Sequence, residues 1–157
     1  MNKNTIRGSV SGLLIDPNTG VAMVVKCYRD KESVERLLQT DDFGFIRKVR
    51  VGDRYFCAIY DRSKDMYDKD TKPTILDEEL NRLACGRTFI VRPMADEYVV
   101  QRGYDIRNIN SDDARYLFDH IHIGHRGDQI TVSLFCVSEP MSEMQELLGE
   151  MTRRNLA

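Results

Sequence analysis

Asp119 to Asp128 read DHIHIGHRGD, and the fold turns on whether that stretch ends a helix or forms a strand. It holds every histidine of the chain: His120, His122 and His125. In a strand, residues two apart share a face, so His120 and His122 could meet one metal ion. In a helix each residue advances roughly 100°, which sets the same two side chains about 200° apart. Upstream, Ala114, Leu117, Phe118 and Ile121 recur at helical spacing, and Gly124 stands where a helix stop belongs. The spacing predicts a helix capped by Ser111, with Asp112 and Asp113 favourable against its dipole, ending at Gly124. On that reading the histidines close a helix and lead through a turn into the last strand, and no metal is assigned to them. HIHIGHRG also resembles the His-x-His-x-Asp-His-x-Gly signature of metallo-β-lactamase-like hydrolases, with Gly124 in place of the Asp. A metal-dependent hydrolase using His120, His122 and His125 is therefore kept as a third functional reading. RGD at Arg126 to Asp128 reads as a turn.

Working outward from that stretch, hairpins dominate. VSGLLID and VAMVVKCY flank the turn residues of DPNTG. Asp30 can cap a helix over residues 31–39, whose Val34, Leu37 and Leu38 share a stripe. FGFIRKVRV and RYFCAIYDR pair across Gly52-Asp53, with Phe43, Phe45, Val49 and Val51 on one face and Lys48 and Arg50 on the other. Residues 61–73 read as a solvated loop, and Leu76, Leu80, Leu83 and Ala84 as the face of a helix ended by Gly86. RTFIVR and EYVVQRG suggest a third hairpin around PMAD, and QITVSLFCV the last strand. A final helix opens at Pro140 and carries Met141, Met144, Leu147, Leu148 and Met151. The expected fold class is α+β, a mostly antiparallel sheet built from hairpins and covered by three or four short helices. One domain spans residues 1–157, with 139–157 as an appendage or dimerisation element.

Composition narrows the function classes. Hydrophobic residues make up 41%, charged residues 31%, and net charge is −2 over 157 residues, which is a globular profile. Near-neutral charge argues against nucleic-acid coating. No apolar run reaches the roughly 20 residues of a membrane span, and the start lacks a secretory signal, so a cytoplasmic protein is expected. Cys27, Cys57, Cys85 and Cys136 form no Cys-x-x-Cys pair and sit among apolar neighbours, as reduced buried thiols do. Of 23 basic residues 16 are Arg, a bias that suits anion recognition and surface ion pairs alike. Lys48, Arg50 and Arg54 gather around the Gly52 turn as a small basic patch able to touch phosphate or an acidic partner. Phe43, Gly44, Phe45 and Ile46 copy the middle of an RNA-recognition strand, but Asp41-Asp42 and Lys48 replace its flanks, and core packing explains the pair better. No phosphate loop, nucleophile elbow or dinucleotide fingerprint is present.

LNRLACGRTFIV followed by GYDIRNINSDDARYLFDHI resembles a small domain-of-unknown-function family encoded by phages and mobile elements of low-GC Gram-positive bacteria. Asn81, Arg82, Ala84 and Gly86 match its first element, and Gly103, Asp105 and Asp112 its second; the likeness spans residues 11–121. The resemblance implies a mobile-element protein acting inside a bacterial cell, without catalytic residues or a cofactor. The expectation is a non-catalytic inhibitor of a host defence effector, of anti-CRISPR type, working by protein–protein contact through Lys48, Arg50, Arg54, Asn81 and Arg82. The alternative is a sponge sequestering a signalling nucleotide. A homodimer through the C-terminal helix is also expected.

Overall fold

The structure, a computed structural model, describes residues 8–92, 106–126 and 129–137. Strands β1 (Ser9–Asp16) and β2 (Val21–Tyr28) form the first hairpin, in register from Ser9↔Tyr28 to Asp16↔Val21. Helix α1 (Lys31–Leu38) starts where the Asp30 carboxylate accepts the Ser33 N–H at 2.8 Å, and stops at Gln39 in left-handed backbone. Strands β3 (Phe43–Val51) and β4 (Arg54–Asp61) form the second hairpin. Then come β5 (Pro73–Leu76), β6 (Arg82–Cys85), β7 (Thr88–Val91), α2 (Ser111–His120), β8 (Ile121–Arg126) and β9 (Gln129–Phe135).

These strands make two sheets. The first is antiparallel throughout, in the order β2-β1-β7-β4-β3. The second runs β6-β5-β9-β8, and its β5–β9 pair is parallel. Leu13, Ile15, Phe56, Ala58 and Ile90 of the first sheet pack with Ile75, Ala84, Val132 and Leu134 of the second, and with Leu117 of α2. The opposite face of the first sheet sends Val10, Leu14, Cys57, Ile59, Phe89 and Val91 against Val34 and Leu38 of α1. Strands β1, β4 and β7 are therefore buried on both faces, which is why they read as continuous apolar runs. Each large side chain enclosed this way contributes about 1.5–3 kcal/mol. Gly12 lets β1 and β7 meet, because a Cβ there would stand 2.6 Å from Ile90 O and 2.6 Å from the Phe89 ring.

Several expectations are corrected by this architecture. The described residues hold two helices, α1 and α2, rather than three or four, and the second sheet takes the place of a helical cover. The helix expected over Leu76 to Gly86 is the β5–β6 hairpin. Asp77 Oδ1 accepts the N–H groups of Glu79 (2.9 Å) and Asn81 (2.8 Å), Asp77 Oδ2 accepts Asn81 Nδ2 (3.0 Å), and Leu80 takes φ 65°. A side chain that satisfies the backbone in a turn competes directly with helical hydrogen bonding. Helix α2 is capped by Asn110 in a capping box with Asp113, one residue before the expected Ser111. A bulge between Ile46 and Val49 splits the β3 face: Phe43 and Phe45 pack on the α1 side, Val49 and Val51 between the sheets. The second strand of the third hairpin and the helix over 139–157 lie outside the described residues.

Candidate binding surfaces

The decisive stretch is a strand after His120. Helix α2 stops there, Ile121 is already extended (φ −75°, ψ 129°), and β8 pairs with β9 from Ile121↔Leu134 to Arg126↔Gln129. Gly124 lies in mid-strand opposite Thr131, where a Cβ would stand 2.8 Å from Thr131 Oγ1. His120 lies on the Tyr116 ring (centroids 4.3 Å apart), with Nδ1 2.8 Å from Tyr116 O. His122 meets the Phe135 ring edge-on at 5.4 Å. His122 and His125 are three apart on one strand and so point to opposite faces. Among the described residues no three His, Cys, Asp or Glu side chains gather as a metal site.

The residues around the Gly52 turn are held by α2. Gly52 has φ 61°, and a Cβ there would run into the Tyr116 hydroxyl. That hydroxyl accepts the Asp53 N–H at 2.9 Å and directs its proton at Val51 O (2.9 Å) and Asp53 Oδ1 (2.7 Å). The Tyr116 hydrogen bond, helped by Arg54 and His120, holds the Asp53 carboxyl below its usual range. Burial, reinforced by that carboxylate, pushes the Tyr116 phenol above its ordinary value. Arg54 lies 4.2 Å over the Tyr116 ring and bridges Asp112 (2.9 Å) and Asp113 (3.4 Å). Asp113, 5% exposed, also takes Arg92 Nε at 3.3 Å. Arg50 Nε donates to Gly52 O at 3.0 Å, and the Lys48 ammonium stands 4.6 Å from the Tyr55 ring centroid. The structure thus brings Lys48, Arg50 and Arg54 to one hairpin, where Arg54 holds the turn to α2.

Asn81 and Arg82 lie at the β5–β6 hairpin of the other sheet, Asn81 in its turn and Arg82 at the start of β6. Asn81 closes the β5–β6 turn on Asp77, whose carboxyl is held low chiefly by that hydrogen bond. Arg82 Nη1 donates to the carbonyls of Met66 (3.3 Å), Asp68 (2.8 Å) and Thr71 (2.9 Å), so it pins the polar loop over 61–73. The four thiols are free and buried. Burial pushes Cys27 and Cys136 up to about 11 and Cys57 to about 12, which keeps them protonated and poorly nucleophilic at neutral pH.

Sequence reasoning placed strand β2 in the first hairpin and missed its position at a sheet edge. Among the described residues it is the outer strand of the first sheet, and Val21, Met23, Val24 and Tyr28 are exposed, Met23 and Val24 at 47% each. Beside it a cleft of about 570 Å³ is lined by the apolar Val24, Ile109, Ala114 and Phe118 and by the polar Ser11, Asn110, Ser111 and Arg115. Phe118, expected on the buried face of α2, is 43% exposed here. The one available signal was VAMVV, five apolar residues with no alternation, in an edge strand where alternation belongs. No described helix is long and apolar enough to cross a membrane. Comparison of the chain with protein-family models, with curated proteins and with solved structures finds no match.

Proposed function

We propose that this chain is a non-catalytic binding protein of a phage or mobile element that antagonises a bacterial defence effector through protein–protein contact. The observation that carries the binding role is the edge of β2, unpaired among the described residues, beside a cleft whose apolar lining is Val24, Ile109, Ala114 and Phe118. An extended segment of a partner can add to such an edge, with main-chain hydrogen bonds for affinity and alternate side chains in the cleft for specificity. A long edge strand is ordinarily guarded by charge, proline or a bulge. Strand β2 carries Lys26 as its single charged residue and no proline. The mobile-element setting rests on the family resemblance over residues 11–121. Of the residues singled out from the sequence, Lys48 and Arg50 lie at the β3–β4 hairpin, where they can add contacts to an acidic partner, while Asn81 and Arg82 hold the β5–β6 turn and the polar loop.

The test is phage plating on isogenic hosts that differ only in one defence system, with and without the chain expressed, across a panel of systems. Plating should rise only on a defence-positive host, and Met23→Lys with Val24→Lys should abolish the rise while leaving the protein folded. A chain that never raises plating, or a double variant as active as the parent, would sink the reading.

A further inference from the structure

The cleft between β2 and α2 has a charge as well as an apolar lining. In the β1–β2 register Val24 stands opposite Leu13 and Lys26 opposite Ser11, so both side chains share the face that turns toward α2. Met23, Val25 and Cys27 turn the other way, toward α1 and a second cleft, of about 590 Å³, that Cys27, Ser33, Arg36 and Leu37 help to line. On the helix, Ser111, Ala114, Arg115 and Phe118 line the first cleft together and fall within one arc of about 100°. Asp112 and Asp119 fall outside that arc. Lys26 and Arg115 are exposed, and neither forms an ion pair among the described residues. The acids at the start of α2 are already engaged, Asp112 by Arg54 and Asp113 by Arg54 and Arg92. Two cations without a described carboxylate partner therefore border the apolar lining.

We infer that the strand accepted by the β2 edge is acidic at a fixed spacing. It is an extended protein segment with a large apolar side chain opposite Val24, against Ala114 and Phe118, and a carboxylate two residues away, opposite Lys26 and on the side that Arg115 faces. The inference rests on the edge-binding reading above and names the chemistry of the partner. Residues two apart on a strand repeat one face about 7 Å apart, which is the spacing of Val24 and Lys26 on β2 itself. Opposite charges directly across a strand pair attract, and like charges there repel. A second copy of this chain fits less well. Strand β2 carries no carboxylate, so two copies paired along it would leave Lys26 and Arg115 of both without a counter-charge. A lone lysine is an ordinary guard against indiscriminate edge pairing, and here the same lysine admits an acidic strand.

Selection of a displayed random-peptide library on the full chain tests this, followed by fluorescence anisotropy on the enriched peptides. Enriched sequences should carry Asp or Glu two positions from a large apolar residue. Replacing that carboxylate by its amide should weaken binding about fivefold, the size of one or two exposed ion pairs. Lys26→Ala with Arg115→Ala should erase the difference and leave the amide peptide bound as before. Lys26→Glu with Arg115→Glu should reverse it in favour of a lysine at the same position. Arg36→Ala, on the α1 side, should leave the acid preference intact. These positions are exposed, so melting temperatures should stay close to the parent's. Three results would each overturn the inference: enriched sequences with no acid at that spacing, an acid preference that survives the Lys26, Arg115 double alanine variant, or no enrichment on the parent over the Met23→Lys, Val24→Lys variant. So would a dimer on sedimentation that the Met23→Lys, Val24→Lys variant dissolves, which would give the edge to a second copy. Plating keeps the two readings apart. A rise in plating with unselective peptide binding sinks the acidic partner alone, and acidic selectivity without a rise sinks the defence role alone.

Discussion

Among the described residues the first sheet has two edges, β3 and β2, of nearly equal length and opposite treatment. Strand β3 carries Arg47, Lys48 and Arg50, is broken by a bulge, and has its Arg50 carbonyl taken by the Val137 N–H at 2.7 Å. Its turn is held to α2 by the Tyr116 hydroxyl and by Arg54 between Asp112 and Asp113. Strand β2 is regular, apolar and flanked by two clefts. Bulges, charges and covering segments are the ordinary means of keeping a sheet edge from pairing with another chain. The protein applies all three to β3, which marks the contrast at β2 as a property of the surface and not of the sheet.

Substitutions at the two edges should therefore separate folding from binding. Gly52→Ala should show the largest loss of stability, about 3 kcal/mol, because the left-handed backbone is strained with a side chain and the new Cβ displaces the Tyr116 hydroxyl. A denaturant midpoint shifted at constant slope would verify it. Asp113→Ala should follow at about 2 kcal/mol, since it removes the capping box and leaves Arg54 and Arg92 without their shared carboxylate. Tyr116→Phe should cost about 1 kcal/mol in the same assay, since it removes the hydroxyl's bonds to Val51 O and to the solvent-exposed Asp53 carboxylate.

Acid sharpens the contrast further. Asp53 titrates lower in the folded chain than its ordinary 3.8, so its contribution is present above that value and fades as pH falls through the folded one. Asp77, held low by Asn81, behaves alike in the β5–β6 turn. Melting temperature against pH should steepen below about pH 4, and Asp53→Asn should flatten that limb. Strand β2 has no carboxylate to contribute. The smallest change belongs there: Met23→Lys with Val24→Lys should move stability by no more than about 0.5 kcal/mol, as exposed positions do. A loss comparable to Gly52→Ala would mean that β2 is covered and the edge is closed.

Local chemistry was readable wherever its partner was also local. The β1–β2 hairpin, the Asp30 cap of α1, the β3–β4 turn and the four buried thiols follow from neighbouring residues, and the structure has them so. Residues 76–86 failed because Leu76, Leu80, Leu83 and Ala84 fit a helical stripe, while the competing signal was one Asp77 side chain closing a turn. The edge position of β2 left only the unalternating VAMVV run as a trace in the sequence, because edge or centre depends on which strand pairs next to it. The basic patch was legible as residues, but Asp112 and Asp113 lie about 60 positions from Arg54, and only folding brings them to it.

DHIHIGHRGD shows where the division falls. Taken alone, the sequence determined that an amphipathic helix precedes it and that its histidines could share a face only in a strand. The tertiary structure decided that the strand begins at Ile121, because Ile121 and Leu134 pair across β8 and β9 and pack into the core between the sheets. It also set His120 on Tyr116 at the helix end, away from His122. The periodicity of one segment records which of its own faces is apolar. Whether that face meets a helix or a neighbouring strand is set by residues distant in sequence, whose burial outweighs local preference.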